Sequence, residues 1–449
     1  MRRSTLARLA VAACSLSLLT AFAPAAGADD TADRTADRTA AASHARHAYK
    51  RVGYFTQWGV YGRDFQVQDL DTSGTAAKLT HVNYAFGNIG ADGRCVMGNT
   101  PGEADAWADY QRPLDAANSV DGVADTWDQP LAGNFNQLRE LKAKHPGLKV
   151  LLSLGGWSWS THFSDAALTP ASRKALVSSC LDLYVKGNLP QDGTRGGAGA
   201  AAGVFDGIDL DWEWPGSAGD TDTTYRPEDK RNFTALVHEF RTQLDAYGRT
   251  VKRKYELSAF VPTAPAKIDA GFEVRKIMRD LDFVTLQGYD FHVSGEPVTA
   301  QQSALHARDD FSVDGTVRAW LQRGAPARKL VVGMPFYGQG WTGVTGGGDG
   351  MGQPATGPAP ATWAPGYEDY KALRKLAASG AYRLYRDRRG GHAWLFDGTT
   401  LWTYDDPQVL RRKSAYVRAH GLGGAMFWSL DADTPDGELI TAVDRGLTH

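Results

Sequence analysis

The sequence predicts an α/β fold, a (β/α)8 barrel with a small α+β insertion between the seventh strand and the seventh helix. Eight short runs rich in β-branched and aromatic residues recur along the chain, and helical patterns lie between several of them. One gap between runs is far longer than the others. The eight runs are residues 52–57, 80–86, 149–154, 204–213, 256–262, 283–289, 330–337 and 422–430.

Two connecting segments carry clear helical signals. Thr169 and Pro170 form an N-cap and first-turn pair ahead of one apolar stripe. A second stripe stops near Gly248, since glycine favours helix ends. The apolar positions are Leu176, Val177, Cys180, Leu181 and Tyr184 in the first stripe and Phe233, Leu236, Val237, Phe240 and Leu244 in the second.

The gap between the seventh and eighth runs spans about 85 residues, where one helix and two turns would suffice. It begins with the glycine-rich stretch 346–352 and then offers two short strand-like pieces. We predict an insertion domain over residues 343–406, with the barrel formed by residues 50–342 and 407–449. In such a barrel the functional residues gather where the strands end.

The first 28 residues have the features of a secretory signal peptide. Three arginines within the first eight residues precede the apolar run 9–23, and small residues at 26–28 resemble a cleavage site. A twin-arginine signal and a lipid-attached Cys14 match this segment less well. We therefore expect a secreted, extracellular protein. Residues 29–49 contain the repeat Thr-Ala-Asp-Arg and predict a flexible lead-in.

The charge balance excludes some classes of partner. Removal of residues 1–28 takes away three arginines and no acid, so the formal net charge changes from −2 to −5. A mildly acidic protein has no electrostatic attraction to nucleic acid or to an anionic membrane surface. No later segment offers ~20 consecutive apolar residues, so we expect the mature protein to be soluble. We also expect it to be a monomer.

Two cysteines remain after such processing, Cys95 and Cys180. In an oxidising compartment they could form one disulfide. Cys180 also shares a helical face with Leu176 and Tyr184, which is typical of a buried thiol. The sequence leaves both alternatives open.

Three carboxylates alternate along the fourth run. Asp209, Asp211 and Glu213 are two residues apart, so on a strand their side chains point to the same face. Ile208 and Leu210 would face the helices, which places the acids inside the barrel. Like charges that lose hydration cannot all ionise freely, so at least one should hold a proton near neutral pH. Glu213, nearest the strand end, is the natural proton donor.

This segment closely resembles glycoside hydrolase family 18, whose mark is Asp-x-x-Asp-x-Asp-x-Glu at the end of the fourth strand. Asp206 and the three acids fill all four positions. Further motifs match on the third, sixth and eighth strands, and the resemblance spans about residues 50–446. They are Ser153-Leu154-Gly155-Gly156, Gln287-Gly288-Tyr289-Asp290 and Met426-Phe427-Trp428-Ser429.

The resemblance implies roles for the acids. In this family the 2-acetamido oxygen of the substrate attacks the anomeric carbon, which gives an oxazolinium intermediate and retention of configuration. Glu213 would protonate the leaving oxygen and later activate water. Asp211 would orient the acetamide N–H, Asp209 would tune Asp211 from behind, and the Tyr289 hydroxyl would hold the acetamide carbonyl.

The resemblance also implies a substrate cleft lined by aromatic side chains. Trp428 would form the floor under the sugar, and Trp157 and Trp58 would extend it on opposite sides. Ordinary core packing is the alternative for each aromatic residue, and it is strongest for Phe86. The full set of predicted substrate-binding residues is Trp428, Trp157, Trp58, Tyr54, Phe86, Asp290, Gln287 and Tyr337.

Two positions depart from the family pattern. Gln287 stands where many relatives have Met, and Gln339 stands where many have Arg, and we expect both to line the cleft. The eleven histidines show no metal-ligand spacing, so we expect neither a metal nor a cofactor.

The function implied is that of a chitinase, which hydrolyses β-1,4 linkages between N-acetylglucosamine units in chitin and chito-oligosaccharides. An endo-β-N-acetylglucosaminidase that acts on N-glycans would use the same acids. A chitin-binding lectin on the same scaffold is a third alternative, but such proteins typically lack the terminal Glu that is present here.

Overall fold

The computed structural model describes residues 49–449, which form one compact unit. The predicted signal peptide and almost all of the predicted lead-in lie outside the described residues. Among residues 49–449, no helix is both long and apolar enough to cross a membrane.

Eight parallel strands within residues 49–449 close into a barrel, as predicted. Each strand pairs with the next along the chain, and the last pairs with both its predecessor and the first. The strands are β1 (Lys50–Thr56), β2 (His81–Ile89), β3 (Lys149–Gly155), β4 (Gly207–Asp211), β5 (Glu256–Val261), β6 (Phe283–Leu286), β7 (Leu330–Pro335) and β8 (Gly424–Trp428).

Helices cover the outside of the barrel. The hydroxyl of Thr169 accepts from Ser172 N–H with Pro170 in the first turn, so the predicted N-cap is confirmed. The second predicted helix runs past Gly248 to Val251. The α-helices are Val67–Thr72, Gly133–Lys144, Phe163–Ala166, Pro170–Cys180, Asp229–Val251, Pro265–Gly271, Val274–Asp280, Val313–Gln322, Tyr370–Ala378, Pro407–Ala419 and Glu438–Thr448.

A second sheet, whose strand pairs are antiparallel, lies between β7 and β8, where the sequence predicts an insertion. The sequence predicts that the insertion begins at residue 343. The sheet begins earlier, at Tyr337, because the chain enters it directly after β7. The helix Tyr370–Ala378 belongs to the same segment. The strands are Tyr337–Thr342, Gly357–Pro358, Tyr367–Asp369, Arg383–Asp387, His392–Phe396 and Leu401–Tyr404.

Cys95 and Cys180 form a disulfide, which decides between the two alternatives that the sequence leaves open. Cys95 lies on the short strand Cys95–Val96, which pairs with the end of β2, and Cys180 ends the helix Pro170–Cys180. The bond therefore ties the loop after β2 to the helix that follows β3.

A charged cluster lies at the amino-terminal end of the barrel strands. Glu256 at the start of β5 accepts from His81 Nε2 at 2.9 Å and forms an ion pair with Lys149. Burial by itself raises the pKa of Glu256, but the hydrogen bond from His81 and the charges of His81 and Lys149 outweigh burial and lower the pKa to about 2. The carboxylate is therefore more stable in the folded chain than in the unfolded chain.

Replacement of Glu256 by Gln should lower the free energy of unfolding at pH 7 by about 3 kcal/mol, since a shift of about two pKa units corresponds to that energy. Because the folded-state pKa lies below the unfolded value, this contribution is complete above pH ~5 and is lost as the pH falls toward 2. Denaturant unfolding of both proteins at neutral and at acidic pH measures the difference.

The difference in the free energy of unfolding between wild type and Glu256→Gln should become smaller at the acidic pH. The control is Glu228→Gln at an exposed glutamate, which should change stability by less than about 0.5 kcal/mol. A difference that stays constant from pH 7 to pH 2.5 would contradict the role given to Glu256.

Candidate active site

A cleft with a volume of about 980 Å³ opens at the carboxyl ends of the barrel strands. The structure places the side chains predicted for the site on its wall, except Asp209, which lies beneath it, and Gln339, whose amide is directed at Asp290. These wall residues are Tyr54, Trp58, Phe86, Trp157, Asp211, Glu213, Gln287, Tyr289, Asp290, Tyr337 and Trp428.

Asp209 lies at the base of the acid stack and is fully buried. In the sheet register it stands between Ser153 of β3 and Ser258 of β5, and their hydroxyls donate to it at 2.9 and 2.6 Å. The Tyr54 hydroxyl of β1 donates at 2.9 Å. Burial raises the pKa of Asp209, and these three hydrogen bonds offset only part of the increase.

Asp211 ends β4 one pleat above Asp209 and is almost fully buried. Among the described residues its Oδ1 has no hydrogen-bond partner. Burial, together with the charges of Glu213 and Asp209, raises the pKa of Asp211 well above its ordinary value. A polar atom left unpaired in a substrate-sized cleft is available to a ligand.

Glu213 follows the end of β4 and faces the cleft, and its backbone N–H donates to Ser160 Oγ at 2.8 Å. Burial and the charge of Asp290 raise the pKa of Glu213 to about 8, although Lys267 and a hydrogen bond with Asp211 act in the opposite direction. Glu213 therefore holds a proton at neutral pH and can act as a general acid.

The end of β6 contributes a polar pair. Asp290 Oδ1 accepts from the Tyr337 hydroxyl at 2.7 Å and from Gln339 Nε2 at 2.9 Å. Within residues 49–449 the Tyr289 hydroxyl has one weak contact, with Met426 Sδ at 3.9 Å, so it remains available in the cleft. The expectation that Gln339 lines the cleft is wrong, because its amide is buried and directed at Asp290.

Aromatic rings form one side of the cleft. The Trp428 ring lies 5.7 Å from Phe86 at an interplanar angle of 16° and 5.3 Å from Tyr54, and Trp58 contacts both Phe86 and Trp428. Trp58 and Trp157 are 42% and 49% exposed, which no core residue would be. Phe86 lines the cleft as well, so packing is not its whole role.

The two glycines after β3 let the chain approach the acid stack. Gly155 has a φ of +109°, and a Cβ there would lie 2.4 Å from the carbonyl oxygen of Asp211. A Cβ on Gly156 would lie 2.6 Å from the Phe86 ring. Larger residues would push apart the strand ends that hold the stack.

Several side chains of the wall could not be predicted from the sequence, because most of them lie on loops, or on short elements that loops position, and no periodicity sets the path of a loop. Tyr367 comes from the insertion and stacks on Tyr337 with ring centres 4.3 Å apart. Trp214 is adjacent to Glu213, and that adjacency is the one signal that could have identified it. The missed residues include Trp159, Trp214, Phe260, Thr263, Lys267, Val293, Phe311 and Tyr367.

No group of three or more His, Cys, Asp and Glu side chains within residues 49–449 has the arrangement of a metal site. That the protein needs neither metal nor cofactor stays a prediction.

The chain matches a known family along most of its length. The model of Glycosyl hydrolases family 18 matches residues 50–433. The chain is 40% identical to Chitinase 63 of Streptomyces plicatus over 88% of this chain and 60% of that protein. It is 34% identical to Chitinase A1 of Niallia circulans over 90% of this chain and 61% of that protein. It thus spans about 60% of the length of these curated relatives.

The three-dimensional structure is similar to that of the catalytic domain of psychrophilic chitinase B from Arthrobacter TAD20. The sequence identity is 48%, the TM-score is 0.86, and the similarity covers 89% of this chain and 95% of that chain. The similarity therefore extends over the whole barrel and is not limited to a single motif.

The hydrogen bond from Tyr54 to Asp209 gives a test of the buried stack. Tyr54→Phe should lower the free energy of unfolding at pH 7 by about 1–2 kcal/mol, because it removes a donor from a buried carboxyl. The matched control is Tyr61→Phe, whose hydroxyl donates to Asp105 at 2.9 Å on the surface and should cost less than about 0.5 kcal/mol. If urea unfolding showed the same loss of free energy of unfolding for Tyr54→Phe and Tyr61→Phe, the result would contradict this account of Asp209.

Proposed function

Because the chain belongs to glycosyl hydrolase family 18, we propose that it is a chitinase, which hydrolyses β-1,4 linkages between N-acetylglucosamine units. One observation carries the proposal: Glu213 faces a long aromatic cleft with its pKa raised to about 8. A protonated carboxyl at the point where a sugar chain crosses the strand ends is what protonation of a glycosidic oxygen requires.

The acids suit a substrate-assisted, retaining mechanism. The acetamide oxygen of the sugar attacks its own C1 while the bond from C1 to the leaving oxygen breaks, and Glu213 donates its proton to that oxygen. An oxazolinium ion results. The Glu213 carboxylate then takes a proton from water, whose oxygen attacks C1 from the side that the leaving group vacated. The bond from C1 to the acetamide oxygen breaks in the same step, which restores the acetamide, and the configuration is retained.

The neighbours of Glu213 position the acetamide group. Asp211 Oδ1, unpaired among the described residues, accepts the acetamide N–H and offsets the positive charge of the oxazolinium ion. The charge of Asp209, which is buried below Asp211, raises the pKa of Asp211. The Tyr289 hydroxyl, whose contact among the described residues is the weak one with Met426 Sδ, donates to the acetamide carbonyl and directs its oxygen at C1.

The shape of the cleft favours a linear polymer as substrate. Trp428 is the floor at the cleavage point, and the exposed rings of Trp58 and Trp157 offer stacking surfaces on either side. Tyr367 extends the wall from the insertion. These surfaces fit chitin and chito-oligosaccharides.

We also propose that the enzyme is secreted and acts as a monomer on extracellular chitin, without nucleic-acid or membrane partners. The signal-like segment 1–28 supports secretion. The disulfide between Cys95 and Cys180 is compatible with an oxidising compartment.

The test compares wild type with Glu213→Gln on a fluorogenic chitotrioside, with an N-glycopeptide assayed in parallel. Loss of the proton donor should lower kcat by about 10²–10⁴-fold, because the amide cannot protonate the leaving oxygen. The exposed substitution Glu228→Gln is the control and should retain wild-type kcat.

Cleavage of the glycopeptide alone would move the assignment to an endo-β-N-acetylglucosaminidase. Chitin binding without turnover of either substrate would indicate the lectin alternative. Full activity of Glu213→Gln would contradict the mechanism while leaving the substrate class intact.

A further inference from the structure

Lys267 is a positively charged side chain in a cleft whose other charged side chains are acidic. Among the described residues that line the cleft, it is the one Lys, Arg or His, and the acids there are Asp211, Glu213 and Asp290. The catalytic steps proposed above give Lys267 no role. A half-buried cation on the wall of a substrate cleft is costly to retain unless it contacts something there.

The lysine is held in place without an ion pair. It lies in the helix Pro265–Gly271, which follows β5, and its ammonium nitrogen is 5.3 Å from the centre of the Trp214 ring. Within residues 49–449, no carboxylate oxygen comes within 4.0 Å of that nitrogen. Burial lowers the pKa of Lys267, and the charge of Glu213 acts in the opposite direction, which places the ammonium near the proton donor.

The barrel topology indicates which sugar unit would meet the lysine. Trp58 follows β1 and Phe86 lies within β2, whereas Lys267, Val293 and Phe311 follow β5 and β6 on the opposite side of the eight-stranded ring. In the steps proposed above, Trp428 lies under the unit that is attacked, and Glu213 protonates the oxygen of the unit that leaves. Because Lys267 lies near Glu213 and over the Trp214 ring, the unit on the leaving side of the bond would lie beside Lys267.

We propose that Lys267 selects the unit on the leaving side of the scissile bond, accepting N-acetylglucosamine and rejecting the deacetylated unit, glucosamine. This inference rests on the proposed chitinase function. An acetamide is neutral, and its carbonyl accepts a hydrogen bond from the ammonium. A free amine is protonated in mildly acidic solution and is repelled by Lys267. Two unit charges about 4 Å apart in water correspond to about a fivefold effect on binding.

The test uses partly deacetylated chitosan at pH 5, where the free amines are protonated. The products are sequenced by mass spectrometry, and the fraction of new non-reducing ends that carry glucosamine is measured. Lys267→Met should raise the ratio of glucosamine to N-acetylglucosamine at these ends about fivefold, and Lys267→Arg should keep the wild-type ratio. The control Lys174→Met removes the same charge from an exposed helix position and should also keep it.

Two further measurements on wild type do not depend on any variant folding. The discrimination should weaken at high salt, which screens the two charges, and at pH 8, where more of the amines are neutral. New reducing ends should be acetylated throughout, since the acetamide of that unit acts as the nucleophile.

The same end composition in wild type and Lys267→Met, with chitin oligosaccharides still cleaved, would overturn the assignment of Lys267 alone. Wild-type discrimination that salt and pH leave unchanged would overturn it as well. Failure of wild type to cleave any chitin oligosaccharide would instead overturn the proposed function, and the inference with it.

Discussion

Three carboxylates follow one another along β4 and just past its end, where burial removes much of their hydration, and the rest of the site depends on this constraint. Asp209 and Asp211 are buried within β4, and Glu213 lies just beyond its end. Burial raises the pKa of both Asp211 and Glu213, the charges of Glu213 and Asp209 raise that of Asp211 further, and the charge of Asp290 raises that of Glu213. The outcome is an acid at the cleft surface that is still protonated at neutral pH.

The surrounding fold stabilises the three stacked carboxylates. The parallel register brings Ser153 and Ser258 to either side of Asp209, so the deepest carboxyl has hydrogen-bond donors from both neighbouring strands. Gly155 and Gly156 allow the end of β3 to approach without contact from a Cβ. Closure of the sheet keeps all eight strand ends at one rim, where the aromatic rings line the cleft that Glu213 faces.

Strand periodicity explains why much of this could be predicted from the sequence. Residues two apart on a strand face the same way, so the convergence of Asp209, Asp211 and Glu213 needed no tertiary information. The resemblance then assigned Tyr289 and Trp428 to the same cleft. Contacts that depend on loop paths could not be predicted, and for that reason Lys267 and Tyr367 were missed. Gln339 was expected at the cleft surface, but the hydrogen bond to Asp290 turns it inward.

The pH dependence of kcat/KM on a fluorogenic chitotrioside tests the central claim most directly. If burial keeps Glu213 protonated, the alkaline limb of the profile should fall near pH 8, because the acid form is lost as the pH rises through its pKa of about 8. A limb that falls near pH 4.3, the ordinary value for a glutamate, would contradict the claim that the buried stack holds the proton.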